Sequence, residues 1–183
     1  MGSSKIFLIN LSAKPLIDNE FRPISVSVLA CFDISITLSE RKDNLFPSVG
    51  SGQTTKMVNQ LAIAGILGGL SEALHFAECA GLDIDEVTNA IQGGAAQSWQ
   101  LTNRAATIAK REYNFGFAIY WMRKDLGFAL DVADRLGLHL PIATLVDEQY
   151  ADVQVNGGGR WDTSGLIEQI RIRRQKVEAA EAG

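Results

Sequence analysis

From Val49 onward, apolar residues recur at helical spacing almost without interruption, and this periodicity is the feature that most constrains the fold. The breaks in the pattern carry glycine, proline or capping residues, which is where helices are expected to stop and start. Six helices are predicted, over residues 54–80, 84–91, 99–111, 119–136, 141–155 and 166–177. We therefore expect a mainly all-α fold, a helical bundle built around one long central helix.

The first predicted helix has an unusual glycine content for its length. It contains Gly65, Gly68 and Gly69, and each glycine inside a helix costs about 1 kcal/mol relative to alanine. Their expected use is to let another helix pack close against that face. Gly81 follows the last periodic residues and is well placed to end the helix in a left-handed conformation. These glycines favour a central, buried helix.

Residues 1–48 have a different character from the rest of the chain. They are rich in Ile, Val, Phe and Ser, they alternate only partially, and they are divided by Pro15 and Pro23. This pattern suggests a short irregular or extended N-terminal segment without a recognised domain. The expected organisation is this atypical segment, a helical domain over residues 49–177, and a frayed tail over residues 178–183.

Composition limits the classes of function. The 183 residues are 46% hydrophobic and 21% charged, which is enough for one packed domain. The net charge of -4 argues against a nucleic-acid partner. A cluster of basic residues lies near the C-terminus, beside glutamates, and consists of Arg171, Arg173, Arg174 and Lys176. The longest apolar run, Leu61 to Leu70, is about half the length that spans a bilayer, and no secretory signal is evident. We expect a cytoplasmic protein without a membrane segment.

The two cysteines, Cys31 and Cys79, are far apart and lack the spacing of a metal site. They fit a reducing compartment, with both as small apolar fillers. His75 and Cys79 have metal-compatible i, i+4 spacing, but no third ligand stands nearby in an apolar helix. We therefore expect no metal site.

The segment from Gly50 to Gln60 predicts a functional site. It reads as a glycine turn that leads into a helix, and Lys56, Asn59 and Gln60 project from neighbouring positions of one helix face. The glycine pair at its start lacks the third glycine and the preceding strand of a dinucleotide-binding loop. Amide groups at such a helix N-terminus suit a carboxylate instead.

Four motifs, in this order along the chain, resemble the C-terminal helical domain of the β-hydroxyacid dehydrogenases, the family of 3-hydroxyisobutyrate dehydrogenase and tartronate semialdehyde (2-hydroxy-3-oxopropionate) reductase. They are Gly-x-Gly-x-x-x-Lys-x-x-Asn-Gln at 50–60, Gly-Ala-Ala-Gln-Ser-Trp at 94–99, Lys-Asp-Leu-Gly-Phe-Ala-Leu at 124–130 and Asp-Thr-Ser at 162–164. The match covers about residues 49–172, and four motifs in the family's order make it specific.

The resemblance implies an NAD(P)-dependent 3-hydroxyacid dehydrogenase or 2-hydroxy-3-oxopropionate reductase. In that family an N-terminal Rossmann domain binds NAD or NADP, and the helical domain contributes the catalytic lysine and substrate contacts. Lys56 matches that lysine, the general acid in reduction and the general base in oxidation. Lys124 matches a lysine close to the cofactor. The positions that match, or are expected to line, the substrate pocket are Asn59, Gln60, Trp99, Phe117 and Asp125.

Alternatives to these roles remain open from the residues alone. Trp99 and Phe117 also suit plain core aromatics, and Lys124 with Asp125 suits an ordinary surface ion pair.

The resemblance also implies a small hydroxy or oxo acid as substrate and a homodimer through the helical domain. Residues 1–48 contain neither the glycine-rich strand–turn–helix nor the Ser-Gly-Gly loop of the family's Rossmann domain. We therefore expect a truncated member that is not competent for hydride transfer alone, with residues 1–48 in place of a lost domain. The alternative is a non-enzymatic helical dimerisation module derived from that domain.

Overall fold

The computed structural model describes residues 51–181 and Gly183. Within that part the chain folds into six α-helices and no β-strand. The helices are α1 (Ser51–Cys79), α2 (Ile84–Ile91), α3 (Trp99–Ala109), α4 (Ile119–Arg135), α5 (Pro141–Val155) and α6 (Ile167–Glu181). Two short 3-10 turns, Gly158–Arg160 and Thr163–Leu166, lead from α5 into α6. The predicted all-α fold is confirmed, whereas the expectations for residues 1–48 lie outside the described residues.

Helix α1 is the centre of the bundle, because it packs against each of the other five helices in the described part of the chain. Its first half buries Ala64 and Leu67 in a cluster with side chains of α4 and α5. Its second half buries Leu74 and Ala77 in a cluster with side chains of α2, α3 and the start of α6. One long helix therefore contributes to two buried clusters, and the prediction of a central helix is confirmed. The prediction that this helix is buried is wrong for most of its length, because only 28% of its most apolar window is buried.

The three glycines inside α1 meet different surroundings. A Cβ atom added at Gly68 would lie 3.0 Å from Val146 Cγ2 on α5, closer than ordinary side-chain packing. At Gly65 the nearest atom would be Ile142 Cγ2 at 3.9 Å, an ordinary contact. A Cβ at Gly69 would meet nothing within 4 Å. Close helix packing is therefore confirmed at Gly68, and the same prediction is wrong for Gly69.

Most helix ends follow the predicted capping chemistry. Gly81 and Gly137 end α1 and α4 with φ values of 73° and 70°, a conformation that glycine adopts without steric cost. Asp83 caps α2 by accepting the backbone N–H of Glu86 at 2.9 Å. Ser98 caps α3 in the same way.

The start of α1 differs from the prediction. The helix begins at Ser51 rather than near Thr54, so Gly52 lies in the first turn and not in a turn before the helix. Backbone N–H groups in the first turn of a helix have no acceptor within the helix. A glycine at such a position therefore destabilises the helix less than a glycine in its interior.

The last helix is longer than predicted. α6 continues to Glu181, although an end at Val177 and a frayed tail from residue 178 were expected. Arg174 Nε donates to Glu178 Oε1 at 2.7 Å, an i, i+4 ion pair that supports the added turn. Alanine and glutamate, which dominate this stretch, are also strong helix formers.

Helix α1 is apolar as well as long. The stretch Gly52–Cys79 is the one helix among the described residues that meets the length and hydropathy criteria for a membrane span. A core helix of a helical bundle meets the same length and hydropathy criteria. Helix α1 has 28% of that window buried and packs against five neighbours. We therefore assign α1 to the bundle core.

A buried ionic network ties α6 to α1 and to the loop after α3. Arg171 Nε donates to Glu78 Oε2 at 3.1 Å, and Arg171 Nη1 donates to the Tyr113 hydroxyl at 2.9 Å and to Glu168 at 2.5 Å. Arg111 Nε donates to the same Glu168 carboxylate at 3.1 Å. Burial opposes ionisation of Glu168, but the hydrogen bonds from Arg111, Arg171 and Tyr113 outweigh it and lower the pKa of this carboxyl. The carboxylate is therefore charged and fully bonded at neutral pH.

Candidate active site

A chain of polar contacts joins the start of α1 to α4. Lys56 Nζ donates to Asp125 Oδ1 at 3.0 Å, and Gln60 Nε2 donates to Asp125 Oδ2 at 2.8 Å. Asn59 Nδ2 in turn donates to Gln60 Oε1 at 3.2 Å. The spacing of three and four residues places the α1 side chains on one face, and α4 supplies the carboxylate. Four of the predicted site residues therefore lie together.

The ion pair in this cluster is only partly shielded from water. The Lys56 side chain is 36% exposed and that of Asp125 is 12% exposed. Both carboxylate oxygens accept hydrogen bonds from α1, so the carboxylate is held in one orientation. An ammonium has three N–H donors, and the carboxylate takes one of them at its Oδ1 atom. The arrangement presents a fixed, partly exposed proton donor at the surface of the bundle.

Gln60 lies behind this pair. It is only 4% exposed, and its amide uses its nitrogen on Asp125 and its oxygen on Asn59. A direct substrate contact was predicted for Gln60, but its burial suggests that it orients Asp125. Asn59 is half-buried, and the hydrogen bond that its side chain makes with the described residues is the one from Nδ2 to Gln60.

The backbone of Phe117 is hydrogen-bonded by a carboxylate that lies 45 residues later in the chain. Its side chain packs against the buried cluster of α1, α4 and α5, and its backbone N–H donates to Asp162 Oδ2 at 3.1 Å. The buried Asp162 carboxylate also accepts from Arg104 Nε at 3.2 Å and from Ser164 Oγ at 2.6 Å. A Cβ at Gly116 would lie 1.9 Å from Asp162 Oδ2. The carboxylate thus fixes the loop that precedes α4.

Sequence reasoning found Asp162 as part of a motif and, with Ser164, as a candidate start of the last helix, but it missed Arg104 and Gly116. A glycine between two phenylalanines, at 115–117, is the signal that points to a special backbone position, and Gly116 indeed has a φ of 68°. No local pattern links Arg104 to a carboxylate 58 residues away.

Trp99 is exposed at the start of α3, and the guanidinium of Arg104 lies over its ring, with Cζ 4.7 Å from the ring centroid. The same guanidinium lies 5.0 Å from the ring centroid of Phe115. Trp99 is therefore not a core aromatic, and its role in a pocket stays a prediction.

Lys124 is exposed on α4, and its contacts differ from those of the adjacent Asp125. Lys124 Nζ lies 5.4 Å from the ring centroid of Trp121 and 5.6 Å from that of Phe128. Asp125 pairs with Lys56 instead. The alternative of an ordinary surface pair between Lys124 and Asp125 is thus wrong, because neighbouring helix residues project in different directions.

Comparison with known proteins identifies the family. Residues 50–170 match the family model described as NAD-binding of NADP-dependent 3-hydroxyisobutyrate dehydrogenase. An uncharacterized oxidoreductase of Shewanella frigidimarina is 55% identical over 139 residues, which are 76% of this chain and 48% of that protein. The 2-hydroxy-3-oxopropionate reductase of Escherichia coli is 38% identical over 123 residues, 67% of this chain and 42% of the enzyme.

A solved structure agrees with these matches. The crystal structure of a 3-hydroxyisobutyrate dehydrogenase from Salmonella typhimurium superposes with a TM-score of 0.61 at 30% identity, over 66% of this chain and 42% of that one. The chain thus spans about half the length, or less, of the relatives that it matches. The chain belongs to the β-hydroxyacid dehydrogenase family, of which it carries the C-terminal helical domain.

Proposed function

We propose that the chain supplies the substrate-binding and catalytic-lysine domain of an NAD(P)-dependent 3-hydroxyacid dehydrogenase or 2-hydroxy-3-oxopropionate reductase. The observation that carries the proposal is the ion pair of 3.0 Å between Lys56 Nζ and Asp125, with Gln60 on the second carboxylate oxygen. It holds an ammonium in one place at the surface of the bundle, where a small acid can reach it.

The chemistry assigned to Lys56 is proton transfer. Its ammonium gives a proton to the carbonyl oxygen when an oxo acid is reduced, and its amine takes the proton back when a hydroxy acid is oxidised. Asp125 keeps Nζ in position, and Asn59 orients the substrate through its amide oxygen, which accepts no hydrogen bond from the described residues. The N-terminus of α1, where the helix dipole is positive, favours the substrate carboxylate.

The proposal includes a nicotinamide cofactor, which supplies or accepts the hydride when it is bound. Lys124 is the residue of this domain that suits such a cofactor, because an exposed ammonium complements a phosphate group. The described residues form helices only, whereas the fold that binds NAD or NADP across strand ends needs a parallel sheet. We therefore propose that this helical domain does not transfer hydride alone and acts together with a nucleotide-binding domain.

A second candidate function is helical dimerisation without catalysis. It is favoured by large apolar side chains that the described part of the chain leaves exposed, such as Val58, Phe76 and Ile142. Phe76 is 74% exposed on α1, and a second copy of the chain is the cover that the family resemblance suggests. Dimerisation is compatible with the catalytic proposal, and a cytoplasmic location suits both, since Cys79 is a free thiol.

Calorimetric titration of the purified chain tests the proposal. Tartronate and 3-hydroxyisobutyrate are titrated with and without NADH or NADPH, into the unmodified chain, Lys56→Ala, and Lys110→Ala as a control on the exposed end of α3. We expect saturable binding of at least one acid, weakened at least about tenfold by Lys56→Ala, or about 1.4 kcal/mol, and unchanged by Lys110→Ala. A stable dimer by light scattering, with no acid binding that depends on Lys56, supports the dimerisation module instead.

A further inference from the structure

A second polar cluster lies at the other end of α1, about 35 Å along the helix axis from Lys56. Cys79 Sγ lies 3.5 Å from His75 Nε2, and His75 Nδ1 lies 3.1 Å from Glu78 Oε2. Arg174 of α6 donates a hydrogen bond from Nη1 to the same sulfur. A thiol, an imidazole, a carboxylate and a guanidinium are thus in direct contact.

The carboxylate determines the proton positions in this cluster. Burial disfavours the charged form of Glu78, but the hydrogen bonds from Arg171 and His75 outweigh it and lower the pKa of this carboxyl. An ionised carboxylate only accepts, so His75 Nδ1 carries the proton that it donates to Glu78. In the neutral ring Nε2 is then an acceptor, facing the sulfur. His75 is placed to take the thiol proton, and Arg174 is placed to stabilise the thiolate.

Cys79 is exposed, so the expectation that it is a small apolar filler is wrong. Its thiol opens on a cleft of about 280 Å³. The side chains that line the cleft are His75, Glu78, Cys79, Arg111, Arg171, Arg174, Gln175 and Glu178. The arginines of the cleft are paired with carboxylates: Arg111 and Arg171 with Glu168, and Arg174 with Glu178. A guanidinium has five N–H donors, and the side chains of Arg111 and Arg174 are 53% and 49% exposed, so they present further N–H groups to the carboxylates of a reagent. No group of three metal-ligating side chains occurs among the described residues.

We propose that Cys79 is a nucleophilic thiol that forms a mixed disulfide with small, carboxylate-bearing disulfides, and that the arginine-lined cleft receives the carboxylates. His75 Nε2 removes the thiol proton, and the Cys79 thiolate attacks one sulfur of the reagent. A new S–S bond forms as the reagent's S–S bond breaks. The departing thiolate takes the proton from His75 and leaves as a thiol. Cys79 is oxidised and the departing half of the reagent is reduced, so the step needs no further oxidant.

The full chain carrying Cys31→Ser provides a direct test, because Cys79 is then its single thiol. The probe is glutathione disulfide, whose halves carry carboxylates, and cystamine is the cationic disulfide used for comparison. Rates of mixed-disulfide formation are measured at neutral pH by intact-protein mass spectrometry, with the site confirmed by peptide mapping. The urea-unfolded chain gives the reference rate of the same cysteine without its neighbours.

Two substitutions and one control isolate the neighbours of the thiol. His75→Gln removes the proton acceptor, and Arg174→Gln removes the donor to sulfur. Arg173→Gln is the matched control, since Arg173 is an exposed arginine that pairs with Asp152 and does not line the cleft. Arg174 is exposed as well, and its i, i+4 pair with Glu178 lies at the surface, where such pairs contribute little to stability. Arg174→Gln is therefore expected to change thermal unfolding little, and it keeps the test valid if His75→Gln folds poorly.

We expect the folded chain to react with glutathione disulfide at least about tenfold faster than the unfolded chain, as for cysteines beside cationic groups. Folding is expected to accelerate the reaction of Cys79 with glutathione disulfide more than its reaction with cystamine. Arg174→Gln and His75→Gln each lower the folded rate by about tenfold, and Arg173→Gln leaves it unchanged. A folded rate no faster than the unfolded rate, an equal or larger acceleration of cystamine, or a rate insensitive to Arg174→Gln overturns the proposal.

Discussion

Lys56 and Asp125, which are 69 residues apart in sequence, form an ion pair of 3.0 Å between helices α1 and α4. The ammonium proposed as the acid–base group and the carboxylate that holds it therefore belong to different helices. Their distance depends on how α1 packs against α4, and so on the buried cluster around Ala64 and Leu126. Substitutions that move these helices are expected to affect the site without touching it.

Gln60→Glu tests the polar support of this pair. The new carboxylate would be buried and would stand about where the Gln60 amide now lies, 2.8 Å from Asp125. Two adjacent carboxylates, one buried at position 60 and one partly buried at Asp125, cannot both ionise cheaply, so we expect the free energy of unfolding at neutral pH to fall by about 2–4 kcal/mol. Urea denaturation followed by circular dichroism measures the change. Gln53→Glu, at an exposed position of α1, is the control and is expected to stay within about 0.5 kcal/mol.

Gly68 and Gly69 form a matched pair for helix packing. At Gly69 a methyl group meets no neighbour, so Gly69→Ala is expected to raise the free energy of unfolding by about 0.5–1 kcal/mol through helix propensity. At Gly68 the methyl group would lie 3.0 Å from Cγ2 of Val146, whose side chain is buried. Overpacking of this kind costs about 1–3 kcal/mol, so Gly68→Ala is expected to be less stable than the unmodified chain. Equal stabilisation by both substitutions would contradict the α1–α5 contact described above.

Gly116 and Gly137 separate backbone strain from steric conflict. Their φ values are 68° and 70°, so an alanine pays a similar conformational cost, about 1–2 kcal/mol, at either position. A Cβ at Gly137 has no neighbour within 4 Å, whereas at Gly116 it would lie 1.9 Å from Asp162 Oδ2. We therefore expect Gly116→Ala to lower the midpoint of thermal unfolding far more than Gly137→Ala. Similar midpoints would show that the Asp162 carboxylate does not hold this loop.

The ionic network around Arg171 is expected to make the free energy of unfolding depend on pH. The pKa values of Glu78 and Glu168 lie below their ordinary value of 4.5, because their hydrogen bonds to arginine outweigh burial. Carboxyls with lowered pKa values stabilise the fold fully above the unfolded value, and this stabilisation is lost as pH falls through the folded values. We expect the free energy of unfolding to fall steeply below about pH 4.5. Glu168→Gln should be less stable at pH 7 and show a shallower acid dependence, while Glu72→Gln, at an exposed position of α1, should match the unmodified chain.

Local pattern was sufficient for the helices and for part of the site. Periodicity and caps located the helices, and i, i+4 spacing placed Lys56 beside Gln60. Spacing did not predict the ion-pair partner of Lys56, because Asp125 is 69 residues away in sequence. The motif identified Asp125 only as a pocket residue. Gly68 and Gly69 were indistinguishable in sequence, since their difference depends on how α1 is rotated against α5. The exposure of Cys79 could not be predicted either, because it depends on tertiary packing at the end of α1.

The Asp162 carboxylate links two parts of the chain that are synthesised at different times. Phe117 precedes Asp162 by 45 residues, so the loop before α4 leaves the ribosome well ahead of the group that accepts its backbone N–H in the folded domain. A nascent chain that has reached only Trp161 already contains Lys56 and Asp125 but lacks the Asp162 carboxylate. The backbone at this predicted pocket position therefore depends on a later residue that contributes nothing to the ion pair itself.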